Sequence, residues 1–119
     1  MGFQPACALT DVPADEALAV TIGAHEVAIA VDGGEVFAVQ NQCSHAAVAL
    51  SEGEVSGGGS GPTIECWLHG SCFDLRTGKP THLPATEPVA TFPVEIRHVD
   101  DSATVWVDTE TTLNGVTPT

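Results

Sequence analysis

The chain has 119 residues, 43% of them hydrophobic, which fits one folded domain rather than a disordered segment. Three basic residues stand against sixteen acidic ones, and the formal net charge of −13 opposes binding to nucleic acid or to anionic membranes. No apolar run approaches the ~20 residues that a membrane-spanning helix needs, and the N-terminal residues do not form a secretory signal, so we expect a cytoplasmic protein.

Short runs that alternate and are rich in β-branched residues predict strands along most of the chain. A first strand is expected around Cys7, and a helix over residues 11–19 is limited by Pro13. Asp32-Gly33-Gly34 predicts a tight hairpin turn. The stronger strand patterns are Leu18–Ile22, His25–Val31, Glu35–Val39, Val89–Ile96 and Ala103–Val107. The prediction is an antiparallel all-β domain, a small sandwich or barrel.

Two segments have compositions that do not favour a packed core. Ser56–Pro62 is rich in glycine and predicts a long flexible loop between two strands. Thr109–Thr119 is polar and rich in threonine, which predicts a disordered tail. The expected organisation is therefore one domain over residues 1–108, followed by a tail over residues 109–119.

Two short motifs on either side of the glycine-rich segment could bind a metal. Cys43-Ser44-His45 and Cys66-Trp67-Leu68-His69 each supply one thiolate and one imidazole. Zinc fingers usually place both cysteines before both histidines, whereas here the two types alternate. A Rieske centre needs two cysteines on one iron and two histidines on the other, which the alternation satisfies. We favour the iron–sulfur centre and keep a non-redox zinc-binding module as an alternative.

Together with Phe73-Asp74-Leu75-Arg76-Thr77-Gly78, these two motifs resemble the signature of small Rieske ferredoxins, and the resemblance extends from about Cys7 to Val107. It implies a Rieske fold of stacked antiparallel sheets, with two cluster-binding loops at one tip. It also implies one [2Fe–2S] cluster per chain. The ligands carried over from the matching motifs are Cys43, His45, Cys66 and His69.

The resemblance also implies a function. Similar ferredoxins take electrons from a flavin reductase and pass them to the oxygenase component of a dioxygenase, without being enzymes themselves. The run Ile64–Ser71 looks closest to a subgroup encoded beside iron–sulfur assembly proteins, so an accessory electron donor or redox sensor in cluster assembly is the alternative. The acidic composition suggests that the protein partners carry a basic docking surface.

Departures from the Rieske proteins of respiratory complexes concern the surroundings of the cluster. Those proteins join their two ligand loops by a disulfide, and Val48 and Leu68 stand in the matching positions here. Ser71 matches a serine that hydrogen-bonds toward the cluster, but Phe73 replaces a tyrosine, while Trp67 is expected to shield the cluster. Fewer hydrogen bonds stabilise the reduced cluster less, so we predict a potential near the low end of the roughly −150 to +300 mV Rieske range.

Overall fold

A computed structural model describes residues 2–44, 48–57, 61–68, 70–81 and 86–118 of the chain. These residues form antiparallel strands and two short 3-10 turns, at Leu9–Asp11 and Leu50–Glu52. The strands are β1 (Gln4–Ala8), β2 (Leu18–Ile22), β3 (His25–Asp32), β4 (Glu35–Gln40), β5 (Val55–Ser56), β6 (Thr63–Glu65), β7 (Cys72–Asp74), β8 (Thr91–Phe92), β9 (Val94–Val99) and β10 (Ser102–Val107). The predicted all-β class is confirmed.

The strands are arranged in three sheets. The first has the order β1-β10-β9, the second β2-β3-β4-β8, and the third β5-β6-β7. In the second sheet, β3 and β4 form the predicted hairpin, in which Asp32 pairs with Glu35. Gly33 and Gly34 adopt φ values of 59° and 83°, a region that glycine occupies without steric cost.

Strand β3 is buried on both faces because it lies in the middle of the molecule. Its residues alternate between two hydrophobic cores: Ala28 and Ala30 face the first core, whereas Val27 and Ile29 face the second. The first core lies against the third sheet and includes Cys43, Leu50, Ile64, Cys66, Phe73 and Leu75. The second core lies against the first sheet and includes Ala38, Phe92, Val105 and Val107. The second sheet is thus packed between the other two.

Two predicted elements differ from the structure. The expected strand Val89–Ile96 is divided at Pro93 into β8, which pairs with β4, and β9, which pairs with β10. Proline lacks the N–H that a continuous ladder requires, so the chain changes sheets there. The helix considered over residues 11–19 does not form beyond the turn at Leu9–Asp11. Instead, the Asp15 carbonyl oxygen accepts a hydrogen bond from the Val55 N–H, 2.9 Å away.

The glycine-rich segment connects two paired strands, as predicted. Val55 pairs with Ile64 and Ser56 with Thr63, so β5 and β6 form a hairpin. Residues 58–60 of this connection lie outside the described residues.

The C-terminal segment, residues 109–118, follows β10. Its Leu113 N–H donates to the Thr91 carbonyl oxygen over 2.8 Å, and Val116 packs against the second core. The domain boundary at residue 108 stays a prediction. No helix among the described residues is long and apolar enough to span a membrane.

Candidate metal centre

The loop that carries the predicted ligands Cys43 and His45, residues 41–51 (the first ligand loop), begins where β4 ends. Asn41 closes its base, because the side-chain oxygen accepts a hydrogen bond from the Ser51 N–H over 2.7 Å. Inside the loop, the Cys43 N–H donates to the Val48 carbonyl oxygen over 3.0 Å. Cys43 itself is only 1% exposed. These bonds fix the backbone on both sides of the cysteine and direct its side chain into the first core.

The second ligand loop, residues 66–71, joins β6 to β7 and is closed by two short-range hydrogen bonds. The Cys66 N–H donates to the Ser71 carbonyl oxygen over 2.6 Å, and the Gly70 N–H donates to the Cys66 carbonyl oxygen over 2.9 Å. Gly70 has a φ of 75°, which favours glycine at this turn. Cys66 and Ser71 are fully buried.

A close backbone contact holds the two loops in a fixed relationship. A Cβ atom on Gly53, just beyond the first loop, would collide with the Glu65 carbonyl oxygen, one residue before Cys66. The Glu65 N–H also donates to the Glu54 carbonyl oxygen over 2.9 Å. Only glycine allows this approach. Sequence reasoning missed Gly53, since a single glycine between polar residues looks like an ordinary turn.

The two predicted cysteine ligands therefore reach the same buried region from different loops. Cys43 and Cys66 both belong to the first core and are surrounded by apolar side chains. The predicted ligands His45 and His69 lie outside the described residues. Among the residues that are described, no group of three or more His, Cys, Asp or Glu is arranged to hold a metal ion. Two buried thiols from separate loops fit the cysteine half of a Rieske cluster, in which both cysteines bind one iron.

The other residues predicted to surround the cluster differ in exposure. Ser71 and Phe73 are fully buried, and Phe73 shares the first core with the two cysteines. Trp67 is 50% exposed and Leu68 is 42% exposed, so the second ligand loop presents an apolar surface to solvent. The shielding role expected of Trp67 stays a prediction.

All four cysteines are free thiols in the structure. Burial raises the pKa of the Cys72 thiol, and the Glu65 carboxylate adds to the rise. Burial likewise raises the pKa of Cys7, with a further contribution from Asp11. A raised pKa disfavours the thiolate at both sites, which suits structural cysteines better than reactive ones.

A third segment, described at residues 78–81 and 86–91, makes polar contacts with the first ligand loop and with β7, the strand that directly follows the second ligand loop. On one side, the Thr81 N–H and hydroxyl both donate to the Cys72 carbonyl oxygen, over 2.7 and 3.2 Å. On the other side, the Ser44 hydroxyl donates to the Glu87 carbonyl oxygen over 2.5 Å. Sequence reasoning missed these contacts, because the partners are far apart in the chain and no local pattern marks them.

Exposed carboxylates lie beside the ligand loops. Asp15, Glu16, Glu52 and Glu54 line one shallow pocket; the first two lie in the segment before β2, and the other two directly follow the first ligand loop. We call these four residues the acidic patch. They concentrate part of the net negative charge close to the candidate centre.

Comparison with known proteins agrees with this arrangement. A model of the Rieske [2Fe-2S] domain matches residues 2–93. The chain is 43% identical over 100 residues to the biphenyl dioxygenase ferredoxin subunit of Pseudomonas sp. (strain KKS102), covering 84% of this chain and 89% of that one.

Two solved structures are also similar. The ferredoxin of carbazole 1,9a-dioxygenase from Nocardioides aromaticivorans IC177 is 31% identical with a TM-score of 0.76, covering 88% of this chain and 97% of that one. A ferredoxin in a complex of reduced oxygenase and oxidized ferredoxin in carbazole 1,9a-dioxygenase is 31% identical with a TM-score of 0.74, covering 88% of this chain and 91% of that one. With the domain match spanning most of its length and both cysteine loops built around one core, the chain belongs to the Rieske [2Fe-2S] domain family.

Proposed function

We propose that this chain is a one-electron carrier, which receives electrons from a flavin-dependent reductase and delivers them to the oxygenase component of a non-heme iron dioxygenase. It is an electron-transfer component and not itself an enzyme. The observation that carries the proposal is the pair of buried cysteines on two loops, one of which also presents exposed apolar side chains. Further support comes from the similar ferredoxin subunit of biphenyl dioxygenase and from the ferredoxin–oxygenase complex of carbazole 1,9a-dioxygenase.

In this proposal Cys43, His45, Cys66 and His69 hold one [2Fe–2S] cluster per chain. Such a cluster accepts and releases a single electron. The two cysteine thiolates lie in the first core, where the surrounding apolar side chains exclude water. The hydrogen bonds within the two loops fix the backbone at both cysteines, and a fixed backbone favours little reorganisation on electron transfer.

The surface near the second ligand loop suggests how partners dock. Trp67 and Leu68 are exposed immediately before His69, and large exposed apolar side chains are typical of docking surfaces. The acidic patch adjoins the same loop through Glu54, whose carbonyl oxygen accepts a hydrogen bond from the Glu65 N–H, just before Cys66. A partner that fits this surface has an apolar contact area and basic residues at its edge, since opposite charges accelerate association and orient the two proteins.

The cofactor is tested by electron paramagnetic resonance after dithionite reduction, with iron and sulfide assayed alongside. A rhombic Rieske-type signal with iron and sulfide in equal amounts is the expected result. A colourless protein that contains zinc, and that cannot be reconstituted with iron and sulfide, would exclude electron transfer and favour the zinc-binding module.

The partner is tested by stopped-flow electron transfer from the reduced protein to candidate oxygenase components. Raising the salt concentration from about 0.05 M to about 0.5 M should slow the second-order rate severalfold, because screening weakens the attraction. The double variant Glu52→Gln/Glu54→Gln should slow transfer at low salt, whereas Asp100→Asn/Asp101→Asn, in the turn between β9 and β10, removes the same two charges elsewhere and is the matched control. Rates independent of salt would contradict docking through the acidic patch.

A further inference from the structure

Asn114, in the C-terminal segment, uses both ends of its side-chain amide to hold the backbone of other segments. Its Nδ2 donates to the carbonyl oxygens of Thr77 and Val89, each over 2.8 Å. Its Oδ1 accepts hydrogen bonds from the N–H groups of Thr91 and Val116, over 3.3 and 3.2 Å. Two donors and two acceptor positions are all that a primary amide offers, so this side chain is fully used.

The backbone around Asn114 is shaped to receive it. Gly78 has a φ of 77°, and a Cβ atom there would collide with the Val89 carbonyl oxygen and lie 2.6 Å from Asn114 Nδ2. The Val89 N–H also donates to the Gly78 carbonyl oxygen over 2.8 Å. Asn114 thus lies where the chain leaving the third sheet and the chain arriving at β8 come together.

Between these two points the chain contacts the first ligand loop and the first residue of β7, directly after the second ligand loop. Thr81 donates twice to the carbonyl oxygen of Cys72, which follows the second loop. Glu87 accepts the hydroxyl hydrogen of Ser44, which adjoins Cys43 in the first loop. Both contacts lie in the segment whose ends Asn114 ties together. Residues 79–81 also pair with β7, through the Asp74 N–H to the Lys79 carbonyl oxygen over 2.8 Å. Loosening the ends of the segment should weaken both contacts, because a stretch that forms no named strand or helix where it is described opens locally once its ends are released.

We propose that Asn114 is a positioning residue for the metal centre: by joining Thr77 to Val89 it stabilises the segment that bonds to the first ligand loop and to the residue directly after the second. The C-terminal segment is then a structural part of the centre, which is the opposite of the disordered tail predicted from its composition. The proposal rests on the membership of the Rieske family and does not depend on which protein receives the electron.

Hydrogen exchange of the cluster-loaded protein, measured by mass spectrometry, tests directly whether Asn114 stabilises this segment. Asn114→Ala should increase exchange about tenfold in peptides covering residues 77–81 and 86–91, because the amides of this segment open locally. Exchange in β2, β3, β9 and β10 should stay unchanged. Leu113→Ala is the matched control, since Leu113 is 66% exposed and its backbone bond to Thr91 survives the substitution.

Loss of the cluster gives a second readout. With an iron chelator present, visible absorption should bleach at least about threefold faster in Asn114→Ala than in Leu113→Ala, because looser ligand loops admit the chelator. Asn114→Asp has the same size and keeps the acceptor but loses both donors, so it should match or exceed the effect of alanine. Asn114→Ser keeps one donor and one acceptor group, so it should show a smaller rise in both measurements, and it replaces the alanine variant if that protein does not fold.

Three results would overturn the proposal. One is that Asn114→Ala and Leu113→Ala exchange and bleach at the same rates. Another is that exchange rises equally in every sheet, which would assign Asn114 a role in global stability alone. The third is that deleting residues 109–119 changes neither measurement, as expected of a disordered tail.

Discussion

The guanidinium group of Arg76 binds the carboxylate of Glu35 with two parallel hydrogen bonds, 2.6 and 2.7 Å long. Glu35 begins β4 in the second sheet, whereas Arg76 lies in the turn after β7 in the third sheet. The same guanidinium group lies 5.2 Å from the centre of the Phe37 ring. The pair therefore connects the sheet that carries the second ligand loop to the middle of the molecule. Its two parallel hydrogen bonds also fix the relative orientation of the two side chains.

Replacing Glu35 with glutamine should reduce stability by a small amount at neutral pH and by nothing in strong acid. The hydrogen bond from Arg76 lowers the pKa of Glu35 in the folded protein. A carboxyl group whose pKa is lower in the folded state than in the unfolded state stabilises the fold at pH values above its unfolded pKa, about 4.3 for glutamate. This stabilisation is lost as the pH falls through the lowered, folded-state pKa. The effect should be small since both side chains are half exposed to solvent.

Thermal unfolding of the wild type and of Glu35→Gln between pH 3 and pH 8 measures this difference. The two melting curves should converge toward acid pH and with added salt. Asp101→Asn is the control for simple removal of a negative charge. A gap between the curves that widens as the pH falls would show that the ion pair is not its cause.

Local patterns could predict the elements whose partners are close in sequence. The hairpin of β3 and β4 follows from alternation on both sides of Asp32-Gly33-Gly34, and the cysteine motifs are readable because both ligands of each motif are neighbours. The burial of β3 on both faces appears as its unbroken apolar run from Val27 to Ala30. In each of these cases, the information lies within a few consecutive residues.

What could not be predicted depends on contacts between distant segments. Strands β5, β6 and β7 have only two or three residues each, too few to show a period, and they exist because they pair with one another. The contacts of Asn114 join it to Thr77 and Val89, and no local signal distinguishes this asparagine from those of a polar tail. Sequence-based patterns therefore located the candidate ligands but not the residues that hold their loops in place.

Phe73→Tyr should raise the midpoint potential of the cluster by roughly 40 mV. This shift corresponds to one added hydrogen bond worth about 1 kcal/mol, converted for a one-electron couple. Phe73 is fully buried in the core that contains Cys43 and Cys66, so a hydroxyl added there is close to the proposed cluster. A hydrogen bond toward the cluster or its ligand sulfur favours the more negative reduced form.

Redox titration of the two proteins followed by visible absorption measures the shift. Phe92→Tyr is the matched control, because Phe92 is equally buried but belongs to the second core. The wild-type value should lie near the low end of the roughly −150 to +300 mV Rieske range. A wild-type midpoint above about +100 mV, or a Phe73→Tyr midpoint at or below that of wild type, contradicts the argument from missing hydrogen bonds.

The Cys72 thiol should react slowly with an alkylating reagent at neutral pH, with a pH–rate inflection above that of an ordinary cysteine. Burial is the larger cause of the raised pKa of Cys72, and the Glu65 carboxylate raises it further. Glu65→Gln should therefore move the inflection only part of the way back. Peptide mapping after timed alkylation of the cluster-loaded protein measures the rate at each site.

Cys7 provides the internal control for this experiment. Its pKa is also raised mainly by burial, but the neighbouring carboxylate is Asp11. Asp11→Asn should change the alkylation rate of Cys7 and not that of Cys72. Glu65→Gln should change the rate of Cys72 and not that of Cys7. Equal responses of both thiols to either substitution would mean that overall charge, not the local carboxylate, controls them.

Serine substitutions should divide the four cysteines into two classes. Cys43→Ser and Cys66→Ser should lose the cluster, because a serine hydroxyl is a harder and weaker ligand for iron than a thiolate. Cys7→Ser and Cys72→Ser should keep it, since these thiols are only partly buried and lie outside the pair that meets in the first core. Iron and sulfide content and visible absorption of each purified variant measure the outcome, with far-ultraviolet circular dichroism to confirm folding. A folded Cys66→Ser protein with full cluster content, or a folded Cys72→Ser protein without any, would reassign the cysteine ligands.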